Sequence, residues 1–251
     1  TDSRSEMDYN DLSNQLDPNR GALIVASFGT TLTSTIDRTD KIREILEAKN
    51  IRYYIHADAA FDGMILPFME TSYPYQLGKD IDSVSISGHK IIGSPIPCGV
   101  TLARKECVEQ LSRRIGYTAN FDCTISGSRN GYTVLVLWLA IKQRGVEGFK
   151  KLIAECKQRS LHVMDILKQH DIECWQYPHA ITVVLNKIPE PLAKRWRLPS
   201  NSKFTTLTAL PKLTDEKLLN FISDFKYLEE NGELLPDGKG IIFPTSLSPL
   251  S

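Results

Sequence analysis

Lys90 and Asp58 are the two residues whose types and settings best suit chemistry. Lys90 closes the segment Ser85-Ile86-Ser87-Gly88-His89-Lys90, in which a small polar turn follows an apolar run. Asp58 ends a second apolar run, Tyr54-Ile55-His56-Ala57-Asp58. A lysine amine presented in a cleft can condense with a carbonyl carbon as a Schiff base. A carboxylate beside it can keep a heteroaromatic nitrogen protonated. Spacing alone does not choose this reading, because lysines and aspartates are mostly solvated surface residues.

The residues around the pair carry more. Asp58-Ala59-Ala60-Phe61-Asp62-Gly63 is followed by Ser87-Gly88-His89-Lys90 and then by Gly93-Ser94-Pro95-Ile96-Pro97-Cys98-Gly99. Gly29-Thr30-Thr31 stands upstream, and Thr124-Ile125-Ser126-Gly127-Ser128-Arg129-Asn130-Gly131 downstream. In this order the motifs resemble the group II amino-acid decarboxylases that use pyridoxal 5'-phosphate, and among them the short bacterial histidine decarboxylases. The specific wording runs from about Gly21 to Leu139 and continues more loosely to about Phe225.

The resemblance implies decarboxylation of an amino acid, first L-histidine to histamine and carbon dioxide, with serine or an aromatic amino acid as the alternative substrate. Lys90 would be the Schiff-base lysine and Asp58 the partner of the pyridinium nitrogen. Ala60 would set its methyl against one cofactor face, and Ser87 and His89 would contribute to the phosphate contact. Thr31 matches the threonine near the ring hydroxyl, although a turn threonine capping the next segment suits it nearly as well. Tyr117 stands where the family has a mobile-loop tyrosine that protonates the substrate carbon, with Tyr132 and other aromatics as competitors for that role. The family places the Ser126 to Gly131 turn at a dimer interface, which implies a homodimer with shared active sites. Two positions depart from the family pattern: Tyr132 stands where histidine is usual, and Cys123 where threonine is.

Relatives of this type also carry residues ahead of the equivalent of Thr1, supplying a phosphate-binding loop and an aromatic group that stacks on the cofactor. The chain is therefore expected to be a fragment or one part of a divided protein, partnered by that N-terminal segment or by a separate chain. A non-catalytic subunit of such an enzyme is the competing reading.

Bulk composition narrows the classes. The 251 residues hold 30 Lys plus Arg and 30 Asp plus Glu, so no net field recruits nucleic acid or anionic lipid. The longest apolar run, Val134 to Ile141, is far too short to span a bilayer. Five cysteines, an odd number without a CxxC pair, exclude a simple zinc knuckle and suit reduced thiols in a cytoplasmic protein. Cys98 lies near the Lys90 turn, where a structural thiol is its simplest role.

The elements that must position these residues alternate strand and helix. Gly21 to Phe28 reads as a buried parallel strand, 40–50 as a helix, Ile51 to Ala57 and Ser83 to Ser87 as further strands, and Val100 to Arg104 as a strand of the same sheet. This predicts an α/β fold with a mainly parallel sheet, the pyridoxal-phosphate fold type I large domain over 1–145, and a small α+β domain over 146–251. From Thr133 to about Lys168 the pattern is helical, broken near Gly145 and Gly148. Strands follow at Cys174 to Tyr177, Ala180 to Leu185 and Phe204 to Leu210, then a helix from Asp215 to Glu230 capped by Thr214. Parallel sheets bind ligands beyond the carboxyl ends of their strands, where Asp58 and Lys90 both fall.

Overall fold

The computed structural model describes residues 1, 5–115, 120–122 and 129–236. A short helix, α1 (Tyr9–Gln15), is capped by Asp8, whose side chain accepts from the amides of Asn10 and Asp11. Strand β1 (Ala22–Ser27), helix α2 (Thr39–Ala48) and strand β2 (Tyr53–Asp58) then form a strand–helix–strand unit. Strands β3 (Ser83–Ser87) and β4 (Gly99–Ala103) complete a four-stranded sheet in the order β1-β2-β3-β4.

The β1–β2 and β2–β3 pairs are parallel, whereas β3–β4 is antiparallel. The sheet is thus mainly parallel, and the last strand turns back because only Gly88 to Cys98 joins it to β3. A parallel crossover needs a dozen or more residues, usually with a helix. Ile24, Ala26, Ile55 and Ala57 face one side of the sheet and pack with Ile42 and Leu46 of α2. The other face differs from the expectation of a strand buried on both sides: Leu23 is 71% and Val25 57% exposed. No described element covers those two side chains, so period-two burial replaces the continuous apolar burial read from the sequence.

Helix α3 (Lys105–Leu111) follows, then short strands β5 (Arg113–Ile115) and β6 (Asn120–Asp122). Helix α4 (Gly131–Gln169) opens on Asn130, whose side chain accepts from the Tyr132 amide. It breaks at Gly145, which takes φ 59° and ψ −178°, while Gly148 stays helical. Beyond it lie β7 (Cys174–Trp175), β8 (Thr182–Asn186), α5 (Glu190–Arg195), β9 (Phe204–Thr208) and α6 (Asp215–Asn231). The three strands form an antiparallel sheet in the order β7-β8-β9. Thr214 caps α6 by accepting from the Lys217 amide, and Gly232 ends it in the left-handed conformation.

This C-terminal unit has its own core, in which Trp196 meets Phe221 edge-on at 5.8 Å. Asp224, 1% exposed, holds that core to α5. It accepts from Arg195 at 3.0 Å and from the Trp196 indole at 2.8 Å. Removing the carboxylate leaves the half-buried Arg195 with only the Leu235 carbonyl among the described residues, and the buried Trp196 indole N–H with no partner. Asp224→Ala should therefore lose about 3 kcal/mol of stability, read by chemical denaturation.

Candidate active site

Parallel register sets Ser27, Asp58 and Ser85 side by side, so the loops after three strands leave from one edge of the sheet. Main-chain bonds lock those loops together: Phe28 N–H donates to Asp58 O at 2.8 Å, Ala59 N–H to Ser85 O at 3.0 Å and Ser87 N–H to Ala60 O at 3.0 Å. The turn carrying Lys90 is closed by Gly88 N–H on Cys98 O and Ser94 N–H on Gly88 O, both at 2.9 Å. A side chain at Gly88 would crowd its neighbours, since a Cβ would fall 2.5 Å from Cys98 Sγ and 2.8 Å from Leu137 Cδ1.

Where these loops meet, a cavity of about 410 Å³ opens. Ser27, Gly29, Thr30, Thr31 and Ser34 line it from β1 and the following loop. Asp58, Ala60 and Phe61 come from the end of β2, and Lys90 from the turn after β3. Thr182, Pro199 and Thr208 close it from the C-terminal unit. Lys90 Nζ lies 5.9 Å from the centroid of the Phe61 ring. The Asp58 carboxylate is exposed and, among the described residues, accepts a long bond of 3.3 Å from the Ala60 amide. It serves the local turn and also lines the cavity. An amine, a carboxylate and a set of hydroxyls around this volume suit the aldehyde, ring nitrogen and ring hydroxyl of pyridoxal phosphate.

Of the residues singled out in the sequence, Lys90, Asp58, Ala60 and Thr31 share this cavity. Ser87 and His89 do not line it. Ser87 is engaged through its backbone at the end of β3, and the exposed His89 accepts at Nδ1 from the Cys98 amide, 3.2 Å away. Tyr117 and the stretch Cys123 to Ser128 lie outside the described residues. Arg129, at the end of that stretch, pairs with Asp122 at 3.6 Å. Among the described residues no group of acidic, histidine and cysteine side chains is arranged for a metal ion, and no helix is long and apolar enough to cross a membrane.

Two parts of the site were not anticipated. The first is the polar network of the β1–α2 loop beyond Thr31, the residue of that loop already assigned to the site. There a hydroxyl chain runs Thr30–Thr33–Thr35 at 2.7 Å per step, and Asp37 accepts from the amides of Ser27 and Met7. Burial pushes the Asp37 carboxyl upward, and these two amides draw it back. The dense run Thr30 to Thr35 was the available signal, since clustered hydroxyls read equally well as a solvated turn.

The second is Asp62, which is fully buried. Its carboxylate lies against Gly29, where a Cβ would come within 2.2 Å of Oδ2 and where φ is +97°. Neither oxygen has a hydrogen-bond partner of good geometry among the described residues. Burial pushes the Asp62 carboxyl up to about 7, with the nearby Ser34 hydroxyl and Lys90 ammonium only partly opposing it. A second aspartate four positions after Asp58 was visible, but its burial was not.

The native Asp62 carboxyl holds a proton that the unfolded chain releases above about pH 4. Stability contributed by this group therefore falls as pH rises from about 4 to about 7 and stays low above that. Asp62→Asn should be more stable than the parent at pH 8 by up to about 4 kcal/mol, a gain that vanishes toward pH 4. Denaturant titrations at the two pH values measure it.

Known proteins are similar to this chain in sequence and in fold. The family model described as the pyridoxal-dependent decarboxylase conserved domain matches residues 6–185. The chain is 41% identical over 197 residues to histidine decarboxylase of Morganella morganii, covering 76% of this chain and 51% of that protein. It is 36% identical over 238 residues to histidine decarboxylase of Vibrio anguillarum, covering 92% and 60%. The chain thus spans between about half and three fifths of the length of these curated relatives. Among solved structures, L-methionine decarboxylase from Streptomyces sp. 590 superposes with a TM-score of 0.73 at 18% identity, over 91% of this chain and 58% of that one. Lactobacillus brevis glutamate decarboxylase also gives 0.73, at 16% identity and the same 58% of its chain. The matched span contains Asp58, Lys90 and every strand of the mainly parallel sheet that positions them, and the chain belongs to the pyridoxal-dependent decarboxylase family.

Proposed function

We propose that this chain carries the cofactor-binding core of an amino-acid decarboxylase acting on L-histidine, releasing histamine and carbon dioxide. The observation that carries the reading is the convergence of Lys90, Asp58, Ala60 and Thr31 on one cavity at the carboxyl edge of the sheet. The substrate is suggested by relatives at 36–41% identity whose names specify histidine. Serine or an aromatic amino acid is the substrate alternative within the same chemistry.

Pyridoxal phosphate, when bound, supplies the electron sink for the pair left behind as the carboxylate departs. Lys90 Nζ would hold the cofactor, and the Asp58 carboxylate would keep its ring nitrogen protonated. Ala60 would pack against the ring, and the Thr31 hydroxyl would reach its ring oxygen. Tyr117 is our candidate for the acid that protonates the substrate carbon.

We read residues 1–145 as part of the large domain and 146–251 as the small one, in a cytoplasmic setting that suits free thiols such as Cys98, Cys107, Cys156 and Cys174. The working unit is a homodimer. The first turns of α4 expose Tyr132, Val134, Leu135, Trp138 and Ile141, an apolar stripe of the kind that dimer interfaces cover. The outer sheet face with Leu23 and Val25 favours a second reading, in which further polypeptide must dock before the cofactor is held well.

Borohydride reduction of the cofactor-loaded protein followed by peptide mapping should place pyridoxyl mass on Lys90. Label on Lys79 or Lys105 refutes the assignment. In the same preparation Asp58→Asn should keep the label and lose turnover by at least about a hundred-fold, as when other groups that stabilise developing charge are removed. Sedimentation should show a dimer that Trp138→Glu converts to monomer.

A further inference from the structure

The β1–α2 loop delivers Thr30, Thr31 and Ser34 to the cavity, yet part of what holds it comes from the other end of the chain. His179 lies in the turn between β7 and β8 and is 2% exposed. Its Nε2 is 2.7 Å from the carbonyl oxygen of Ser34, 145 positions earlier. A carbonyl only accepts, so Nε2 carries the hydrogen. Burial lowers the pKa of the ring, with the Ser34 carbonyl opposing, and Nδ1 is left without a partner among the described residues.

The imidazole is built in from several sides. Tyr177 stacks on it at 5.5 Å with planes 18° apart, and Tyr73 meets it edge-on at 5.1 Å. The turn behind it is tied to α4 by Lys157, whose Nζ donates to Gln176 Oε1 at 2.7 Å and Ala180 O at 3.0 Å. Its target is equally specific. Ser34 adopts φ 52°, a left-handed conformation that serine takes at a cost. Its amide donates to Thr30 O at 2.9 Å, and the amides of Gly29 and Thr30 both reach Thr35 O at 3.0 Å.

We propose that His179 is a positioning residue: by donating Nε2–H to the Ser34 carbonyl it fixes the cavity loop 29–35 against the C-terminal unit. The loop restraint stands on these contacts alone, while its service to the cofactor rests on the reading of the cavity under Proposed function. The hydrogen bond crosses between units that share the cavity, so it sets the distance between the hydroxyls of Thr30, Thr31 and Ser34 and the wall formed by Thr182 and Thr208.

Three substitutions separate this role from simple packing. Gln places an amide N–H where Nε2 stands, Asn places one where Nδ1 stands, and Phe keeps the ring against Tyr177 and Tyr73 with no donor. Hydrogen exchange of peptides covering residues 29–37, measured on the chain without cofactor, should speed up at least about ten-fold in His179→Phe and His179→Asn. His179→Gln should stay within about three-fold of the parent. The dissociation constant for pyridoxal phosphate should rise in the same order. Unchanged loop exchange in both Phe and Asn variants, or equal loosening in all three, overturns the proposal. Should Phe fail to fold, the Gln and Asn pair alone decides it. A loosened loop with unaltered cofactor affinity overturns the service to the cavity. Failure of the parent chain to take up pyridoxal phosphate counts against the proposed function, and the exchange data still judge the restraint.

Discussion

Parallel hydrogen bonding among β1, β2 and β3 is the constraint on which the site depends. It lines up Ser27, Asp58 and Ser85 across neighbouring strands, so each loop leaves the sheet on the same edge. An antiparallel β2 would send its loop to the opposite edge and separate Asp58 from Lys90 by the length of a strand. The antiparallel β4 does not disturb this: its residues do not line the cavity, and Cys98, just before it, anchors the Lys90 turn through its carbonyl. Sheet topology thereby turns two residues far apart in the chain into one amine–carboxylate site.

Close approach is the second requirement, and two glycines meet it in different ways. Gly88 lets the Lys90 turn press on Cys98 and Leu137. Gly29 lets the β1–α2 loop press on Asp62 while holding a φ of +97°. Asp62 pays in desolvation for its place behind the cavity wall, with carboxylate oxygens that lack good hydrogen bonds. A buried, poorly paired acid near Lys90 fits the general tendency of functional sites to concentrate perturbed titratable groups.

The cavity is also a joint between two units. The first supplies the charged groups, and the C-terminal unit supplies Thr182, Pro199 and Thr208 together with the His179 contact to Ser34. Its own core, centred on Trp196, Phe221 and the Asp224 bridge, makes it a firm backing for that wall.

Local patterns determined much of this in advance. Apolar runs of strand length, the helical spacing over 40–50 and the Thr214 cap depend on neighbours in sequence, and they are found at β1, β2, β3, α2 and α6. The residues of the Asp58 and Lys90 segments were legible because their wording is distinctive, and the family match covers them. What the linear pattern left open was decided by packing. The direction of β4 follows from the length of its connection, and the exposure of Leu23 and Val25 follows from which elements lie on the sheet. The turning of His89 toward Cys98 instead of the cavity follows from the tight Gly88 turn. Asp62 and His179 read as ordinary polar residues in the sequence, because burial and a partner 145 positions away exist only once the chain has closed on itself.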